Sequence, residues 1–247
     1  MKISVQLYSV RDQMGKDPAG TLKAVAKTGL HYVETAGYAG KSVEEFAQMV
    51  KDAGLKVSGM HVGFEAAENN LDGLLHEAKV LNCPYIIVPG LPGSLIQEGW
   101  DHAGIRLQAI GEKVAKAKRT FAYHNHNHEF VDVKGRTGYD ILFESACPDF
   151  VKNQIDLWWA YVGNQDVPKL LDKYGKRVKL VHLKDGKSKD GAQAVAGDGA
   201  MDWDPILKAC DRCKVDFGSI EFDEAPGDPI ECIAQSLAFF RKKGYKQ

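Results

Sequence analysis

Two textures alternate along the chain. Short β-prone runs end in polar residues, and each is followed by a stretch whose apolar residues recur at i, i+3, i+4 and i+7. The strand candidates are Ile3–Tyr8, Tyr32–Thr35, Lys56–His61, Tyr85–Val88, Thr120–His124, Val151–Asp156, Val178–Leu183 and Phe217–Phe222. The helical stripes between them include Leu22-Val25-Ala26-Gly29, Val43-Phe46-Ala47-Val50 and Leu71-Leu74-Leu75-Ala78. Leu107, Ile110 and Val114 mark a longer and more polar helix. The series closes with Tyr139-Leu142-Phe143-Ala146, Val167-Leu170-Leu171-Tyr174, Trp203-Ile206-Leu207-Cys210 and Ile230-Ile233-Leu237-Phe240.

One apolar stripe per helix means one buried face per helix. Strands that alternate with such helices imply parallel strands joined by right-handed crossovers. Eight regular units, with no G-x-G-x-x-G turn after the first strand, favour a closed (β/α)8 TIM barrel over an open doubly wound sheet. Gly29, Gly54 and Gly175 stand where helices should end in a left-handed cap. No linker, low-complexity tract or composition break divides residues 1–247, so one domain is expected. Two connections are long, Gly90–Trp100 after the fourth strand and Asp185–Asp202 after the seventh. Both follow strand C-termini, where barrels carry substrate loops and lids.

Composition adds exclusions. The 247 residues are 44% hydrophobic and 26% charged, with a formal net charge of −1. That balance offers no general attraction to nucleic acid or to an anionic membrane. No apolar run is long enough to span a bilayer. The start, Met1-Lys2-Ile3-Ser4-Val5, lacks the pattern of a signal peptide, so a cytoplasmic protein is expected. Of five cysteines, Cys83, Cys147 and Cys232 read as small core residues. Cys210 and Cys213 form a lone C-x-x-C without a second pair or nearby histidines, and read as structural too. Nothing in the chain sets its oligomeric state, and a homo-oligomer is compatible with it.

A barrel draws its active-site residues from the C-terminal ends of its strands. Those ends supply Gln6 and Tyr8, Glu34, His61, then His124 (followed by Asn125, His126, His128 and Glu129), Asp156 (followed by Trp158 and Trp159), His182 with Lys184 and Asp185, and finally Glu221 with Asp223. A single His or Asp at a strand end is more often a hydrogen-bonded structural residue than a ligand. Four in succession, His124, Asp156, His182 and Glu221, are less readily incidental. Adjacent strands lie about 4.8 Å apart, so these side chains can converge on one ion. Two imidazoles and two carboxylates suit Mn²⁺, Zn²⁺, Co²⁺ or Fe²⁺ better than Ca²⁺, with Mg²⁺ also open. His31 and His76 lack such positions and read as surface residues.

The strand-end motifs carry a resemblance. Val5-Gln6-Leu7-Tyr8-Ser9-Val10-Arg11, Tyr123-His124-Asn125-His126, Ile155-Asp156-Leu157-Trp158-Trp159, Val181-His182-Leu183-Lys184-Asp185, the Gly197-Asp198-Gly199 … Asp202-Trp203 segment and Ile220-Glu221-Phe222-Asp223 follow one another nearly end to end. In this order the chain resembles the sugar phosphate isomerase/epimerase superfamily of xylose isomerase-like barrels. That superfamily also holds endonuclease IV, inosose dehydratase and ketose 3-epimerases. The resemblance implies a metal held by Glu, Asp, His and Glu from strands 5 to 8. Asp156, His182 and Glu221 match three of those positions. His124 stands where many relatives carry a glutamate. In the ketose epimerases the two glutamates flank the sugar and each exchanges a proton at one face of a carbon. Here Glu221 alone remains of that pair.

The first expectation is metal-assisted proton abstraction beside the carbonyl of a sugar or keto-sugar, giving isomerisation or epimerisation. Catalytic roles would fall to Glu221, Lys184, Glu34 and His61. Substrate contacts would come from Gln6, Tyr8, His126, Trp158, Asp185 and Asp223. The second expectation is a metal-dependent lyase or dehydratase on a keto-sugar or keto-glycoside, which needs one base and one acid. Further alternatives are an endonuclease IV-like phosphodiesterase, disfavoured by the net charge, and a non-catalytic sugar-binding barrel. No P-loop is present and Asp198 would repel phosphate, so a non-phosphorylated sugar is expected.

Overall fold

The computed structural model describes residues 1–189 and 191–245. Eight strands form its centre: β1 (Lys2–Gln6), β2 (Tyr32–Ala36), β3 (Lys56–His61), β4 (Tyr85–Val88), β5 (Thr120–His124), β6 (Lys152–Asp156), β7 (Val178–Leu183) and β8 (Phe217–Ile220). They pair in parallel around a closed barrel, β8 returning to β1. The expected TIM barrel is therefore the observed fold. The outer ring comprises α1 (Pro18–Lys27), α2 (Val43–Asp52), α3 (Leu71–Val80), α4 (Trp100–Lys116), α5 (Gly138–Glu144), α6 (Val167–Tyr174), α7 (Trp203–Cys213) and α8 (Pro229–Lys242).

Local sequence explains where these helices start. Ser42 and Glu45 form a reciprocal capping box at α2. Asp17, Asp166 and Asp228 accept backbone N–H bonds at the starts of α1, α6 and α8, each just before a proline in the first turn. Close packing explains two glycines in α4. A Cβ on Gly104 would lie 2.3 Å from the Leu142 carbonyl oxygen, and one on Gly111 would lie 2.3 Å from that of Phe150. Only glycine lets α4 approach this near to its neighbours.

The apolar stripes of the helices pack on the outward faces of the strands and form the large core. A separate apolar plug of Tyr85, Ile87, Ala122, Leu180 and Phe217 closes the N-terminal end of the barrel interior. Above that plug the interior is polar, with Ser4, Gln6, Glu34, Gln154, His124, His182 and Ser219 all buried. The barrel is thus sealed below and chemically furnished above. The five cysteines are free thiols, and Cys210 and Cys213 are buried on α7. No helix among the described residues is long and apolar enough to cross a membrane.

The mouth is more structured than expected. Leu7–Val10 is a 3-10 helix, because the Gln6 side chain accepts the Tyr8 N–H and ends β1. Short helices Arg11–Lys16, Phe64–Asn69 and Leu157–Val162 follow β1, β3 and β6. The Gly90–Trp100 connection contains a helix, Gly93–Glu98. The Asp185–Asp202 connection contains a two-stranded hairpin of Asp185–Gly186 with Gln193–Ala194, and Asp190 lies outside the described residues.

Candidate metal centre and active site

Register sets the site. Gln6 lies opposite Glu34, His124 opposite Gln154, Asp156 opposite His182 and His182 opposite Ser219. Residues in register on neighbouring strands point to the same side of the sheet, here the barrel interior. Asn125 ties two of the ends together, since its side-chain oxygen accepts the Asp156 N–H at 3.1 Å.

His124, Asp156, His182 and Glu221 converge as the sequence suggests. Each offers one donor atom, the four atoms lie within 4.8 Å of one another, and all four residues are buried. Two atoms of the set are orphans. His124 Nδ1 and Asp156 Oδ2 are buried without a hydrogen-bond partner. Lys184 Nζ lies 3.1 Å from Asp156 Oδ2, close enough for charge attraction but not aligned for a hydrogen bond. Buried polar atoms are rarely left unpaired, and a cation between these groups would satisfy both. The donor set therefore fits a divalent ion.

His182 is fixed from below. Glu34 accepts His182 Nε2 at 2.7 Å, while His182 Nδ1 lies 2.6 Å from Glu221 Oε2. A carboxylate on one ring nitrogen turns the other toward a metal. Burial disfavours the charged ring, but Glu221 and Glu34 overcome this and push its pKa up to about 10. His124 behaves oppositely: burial, with neighbouring His182 and His61, holds it well below the usual range, so its ring is neutral. Burial raises Asp156 to about 6, against the pull of Lys184 and His182. For Glu221 burial also opposes charge, but Lys184 and His182 outweigh it and keep the carboxylate ionised.

Lys184 is almost fully buried. Its ammonium contacts Glu221 at 2.7 Å and Asp223 at 2.9 Å, and sits 5.6 Å from the centre of the Trp159 ring. Burial acts to discharge it, but Asp156, Glu221 and Asp223 prevail and raise its pKa. The amine is therefore held in its charged form.

The structure places the remaining expected site residues in different settings. Glu34, expected as a catalytic base, has no free face. Gln6, His61 and His182 surround its Oε1 at 2.8, 3.0 and 2.7 Å, and Gln154 and Ser219 donate to its Oε2 at 2.6 and 3.3 Å. It lies under the site and orients it. His61 is anchored there too, through Glu34 and Gln154. Asp185, expected to touch substrate, accepts N–H bonds from Gly186, Met201, Gly197 and the Trp203 indole, and so organises the loop after β7. Trp158 is buried against Gly186, and Trp159 stands near the mouth instead, 6.1 Å from the His126 ring. Tyr8 is 44% exposed on the rim, under the Arg11 guanidinium, and off the strand. His126 stands beside His124, and Asp223 bridges Lys184 and Gln193.

Gln154 and Trp159 are the residues that collecting strand ends overlooks or ranks second. Gln154 precedes Asp156 by two positions and shares its inward parity, a signal present in the sequence. Trp159 Nε1 is buried and unpartnered, and so free to donate to a bound molecule.

The chain matches the family model described as xylose isomerase-like TIM barrel over residues 22–243. An inosose dehydratase from Clostridium perfringens (strain 13 / Type A) is 25% identical over 169 residues, covering 60% of this chain and 56% of that protein. An inosose dehydratase from Salmonella typhimurium (strain LT2) is 30% identical over 145 residues, covering 51% of this chain and 45% of that protein. The match thus spans about half the length of these curated relatives. A solved sugar phosphate isomerase/epimerase from Parabacteroides distasonis ATCC 8503 is 25% identical, with a TM-score of 0.82 over 97% of this chain and 93% of that one.

Proposed function

The chain belongs to the xylose isomerase-like TIM barrel family, and within it we propose that the protein is a metal-dependent lyase of the dehydratase type, acting on a keto-sugar or a cyclic keto-polyol. Isomerisation or epimerisation, the first expectation from the sequence, shares the same opening step and the same site. Two observations favour elimination: the curated relatives are dehydratases, and an acid stands directly beside the Glu221 carboxylate.

That second observation carries the reading. Lys184 Nζ lies 2.7 Å from Glu221 Oε2. A divalent ion held by His124, Asp156, His182 and Glu221 would supply Lewis acidity at the substrate carbonyl. Glu221, held ionised, takes the proton from the carbon next to that carbonyl. The electron pair left behind forms the carbon–carbon double bond as the β-carbon–oxygen bond breaks. Lys184 gives its proton to the departing hydroxyl, which leaves as water. Substrate, minus one water, equals the unsaturated ketone. Because acid and base are adjacent, both groups leave from one face. A two-base epimerisation would need a second proton acceptor opposite Glu221, and His124, whose pKa burial holds well below the usual range, is a weak base for that role.

Trp159 lines the apolar side of the mouth, and its free indole N–H is available to a sugar hydroxyl. Asp223 holds the Lys184 ammonium at the mouth with help from Gln193. The test is product analysis with an inosose in D₂O containing Mn²⁺, followed by NMR and ultraviolet absorption. An unsaturated, conjugated product is expected. A saturated sugar that carries deuterium, with no unsaturated product, would sink the lyase reading and return the isomerase one.

A further inference from the structure

Beside the four-residue cluster, the connection after β5 carries three more ligand-type side chains. His126, His128 and Glu129 each offer one donor atom, and these atoms lie within 4.8 Å of one another. They share no residue with the cluster of His124, Asp156, His182 and Glu221. Neither the proposed reaction nor its metal uses His128 or Glu129.

Glu129 is the telling member. It is fully buried. Its Oε1 accepts the Tyr123 hydroxyl at 2.7 Å and its Oε2 accepts the His126 backbone N–H at 2.9 Å. Both donors are neutral. Among the described residues the one ion-pair partner within 4.0 Å is His128. A buried carboxylate is costly unless a cation or several donors compensate it. His128 does so incompletely, because its Nε2 stays 3.4 Å from Glu129 Oε1. That is too long for a good hydrogen bond. It matches the separation of two ligand atoms each about 2.1 Å from a tetrahedral ion, which is about 3.4 Å.

The backbone explains the convergence. Strand β5 ends at His124, and a 3-10 turn over His128–Phe130 folds the next residues back beneath Trp100. The rings of His126 and His128 come to lie 5.9 Å apart and nearly parallel, 19° between planes. The His126 ring also stands 5.1 Å from that of His124, so the second cluster opens onto the same mouth.

We propose that His126, His128 and Glu129 form a second divalent-cation site at the rim of the barrel mouth. Two imidazoles and one carboxylate suit Zn²⁺, Co²⁺ or Fe²⁺, and three protein ligands leave a position open to water or to an oxygen of a bound molecule. The side chain of His128 is 45% exposed, so removing it should not disturb the core. Tag-free protein is stripped with chelator, dialysed to equilibrium against zinc chloride, and measured for zinc per chain by elemental analysis. The same is done for His128→Ala and for His128→Phe, which keeps an aromatic ring against Trp100. Circular dichroism confirms that each variant is folded. Both variants are expected to bind one zinc fewer than the wild type. Failure of the four-residue site would lower all three proteins equally and leave that difference intact. Equal zinc content in wild type and both variants would overturn the second site.

Discussion

Replacing Glu34 by glutamine separates an orienting role from a catalytic one. The carboxylate of Glu34 is wrapped by five groups, from Gln6, His61, His182, Gln154 and Ser219. A glutamine keeps the shape but has one acceptor oxygen in place of two. If its amide nitrogen faces Ser219 and Gln154, the serine hydroxyl can turn to accept, but the Gln154 amide cannot, since its own oxygen bonds His61. If the nitrogen faces the other way, it meets His182, His61 and Gln6. At least one buried donor is therefore stranded, at a cost of about 1–3 kcal/mol. For a chain of this size that lowers Tm by roughly 3–10 °C. The second effect is on the metal. Without the carboxylate, His182 no longer holds its proton on Nε2 with Nδ1 directed to the cluster, and affinity should fall about 10–100-fold. Both quantities are measurable on one preparation, by thermal melting of chelator-treated protein and by competition titration with a chromophoric chelator. A lowered Tm with unchanged metal affinity would refute the orienting role. An unchanged Tm would refute the claim that all five neighbours depend on the carboxylate.

Other predictions concern the same groups and their setting. Lys184→Met should cut the elimination rate by about 10²–10⁴, the usual worth of a positioned acid, while deuterium exchange at the acidic carbon continues; loss of both together would show that Lys184 does not act as the leaving-group acid. The metal-free protein should lose stability as pH rises above about 6.5, and again at low pH, where His124, held well below 6.5 in the fold, and Glu34 both favour unfolding. Glu34, whose pKa is held well below its ordinary 4.5, contributes stability above that value and loses it as pH falls through its folded pKa. His182, raised from 6.5 to about 10, contributes fully below 6.5 and loses that contribution as pH rises to 10. Urea midpoints across this range test the shape, and a midpoint that rises from pH 6.5 to 10 would contradict it. Gly111→Ala should destabilise by about 1–3 kcal/mol, because its Cβ would meet the Phe150 carbonyl oxygen at 2.3 Å. A lower urea midpoint at unchanged slope checks this, and an unchanged midpoint would mean that α4 can shift at no cost.

The barrel is legible in the sequence because its two periods are clean. Each strand candidate lies within two residues of the observed strand, and each apolar stripe falls on an outer helix, with Gly29 and Ala146 just past the ends of theirs. The four-residue cluster is legible for a related reason: parallel strands in register bring residues at their ends to one height. What is not legible depends on where the strand period stops. Asp156 and Trp158 would share a face in a continuing strand. A helix begins at Leu157, with Asp156 as its cap, and so rotates Trp159 to the mouth and Trp158 into the core. Glu34 and Asp185 look like site carboxylates at strand ends. Their roles are set by donors far away in the chain, Gln154 and Ser219 for one, Gly197 and Trp203 for the other. No local pattern encodes such pairings.

Central to the account is a single divalent ion held by His124, Asp156, His182 and Glu221. The most direct measurement is an anomalous difference map from a crystal grown with Mn²⁺ or Zn²⁺ and recorded above the metal's absorption edge. The account predicts a strong peak inside the barrel mouth, within ligand distance of all four side chains, the His124 imidazole included. A map with no peak among these four residues, or with a peak among them that lies beyond ligand distance of His124, would contradict it.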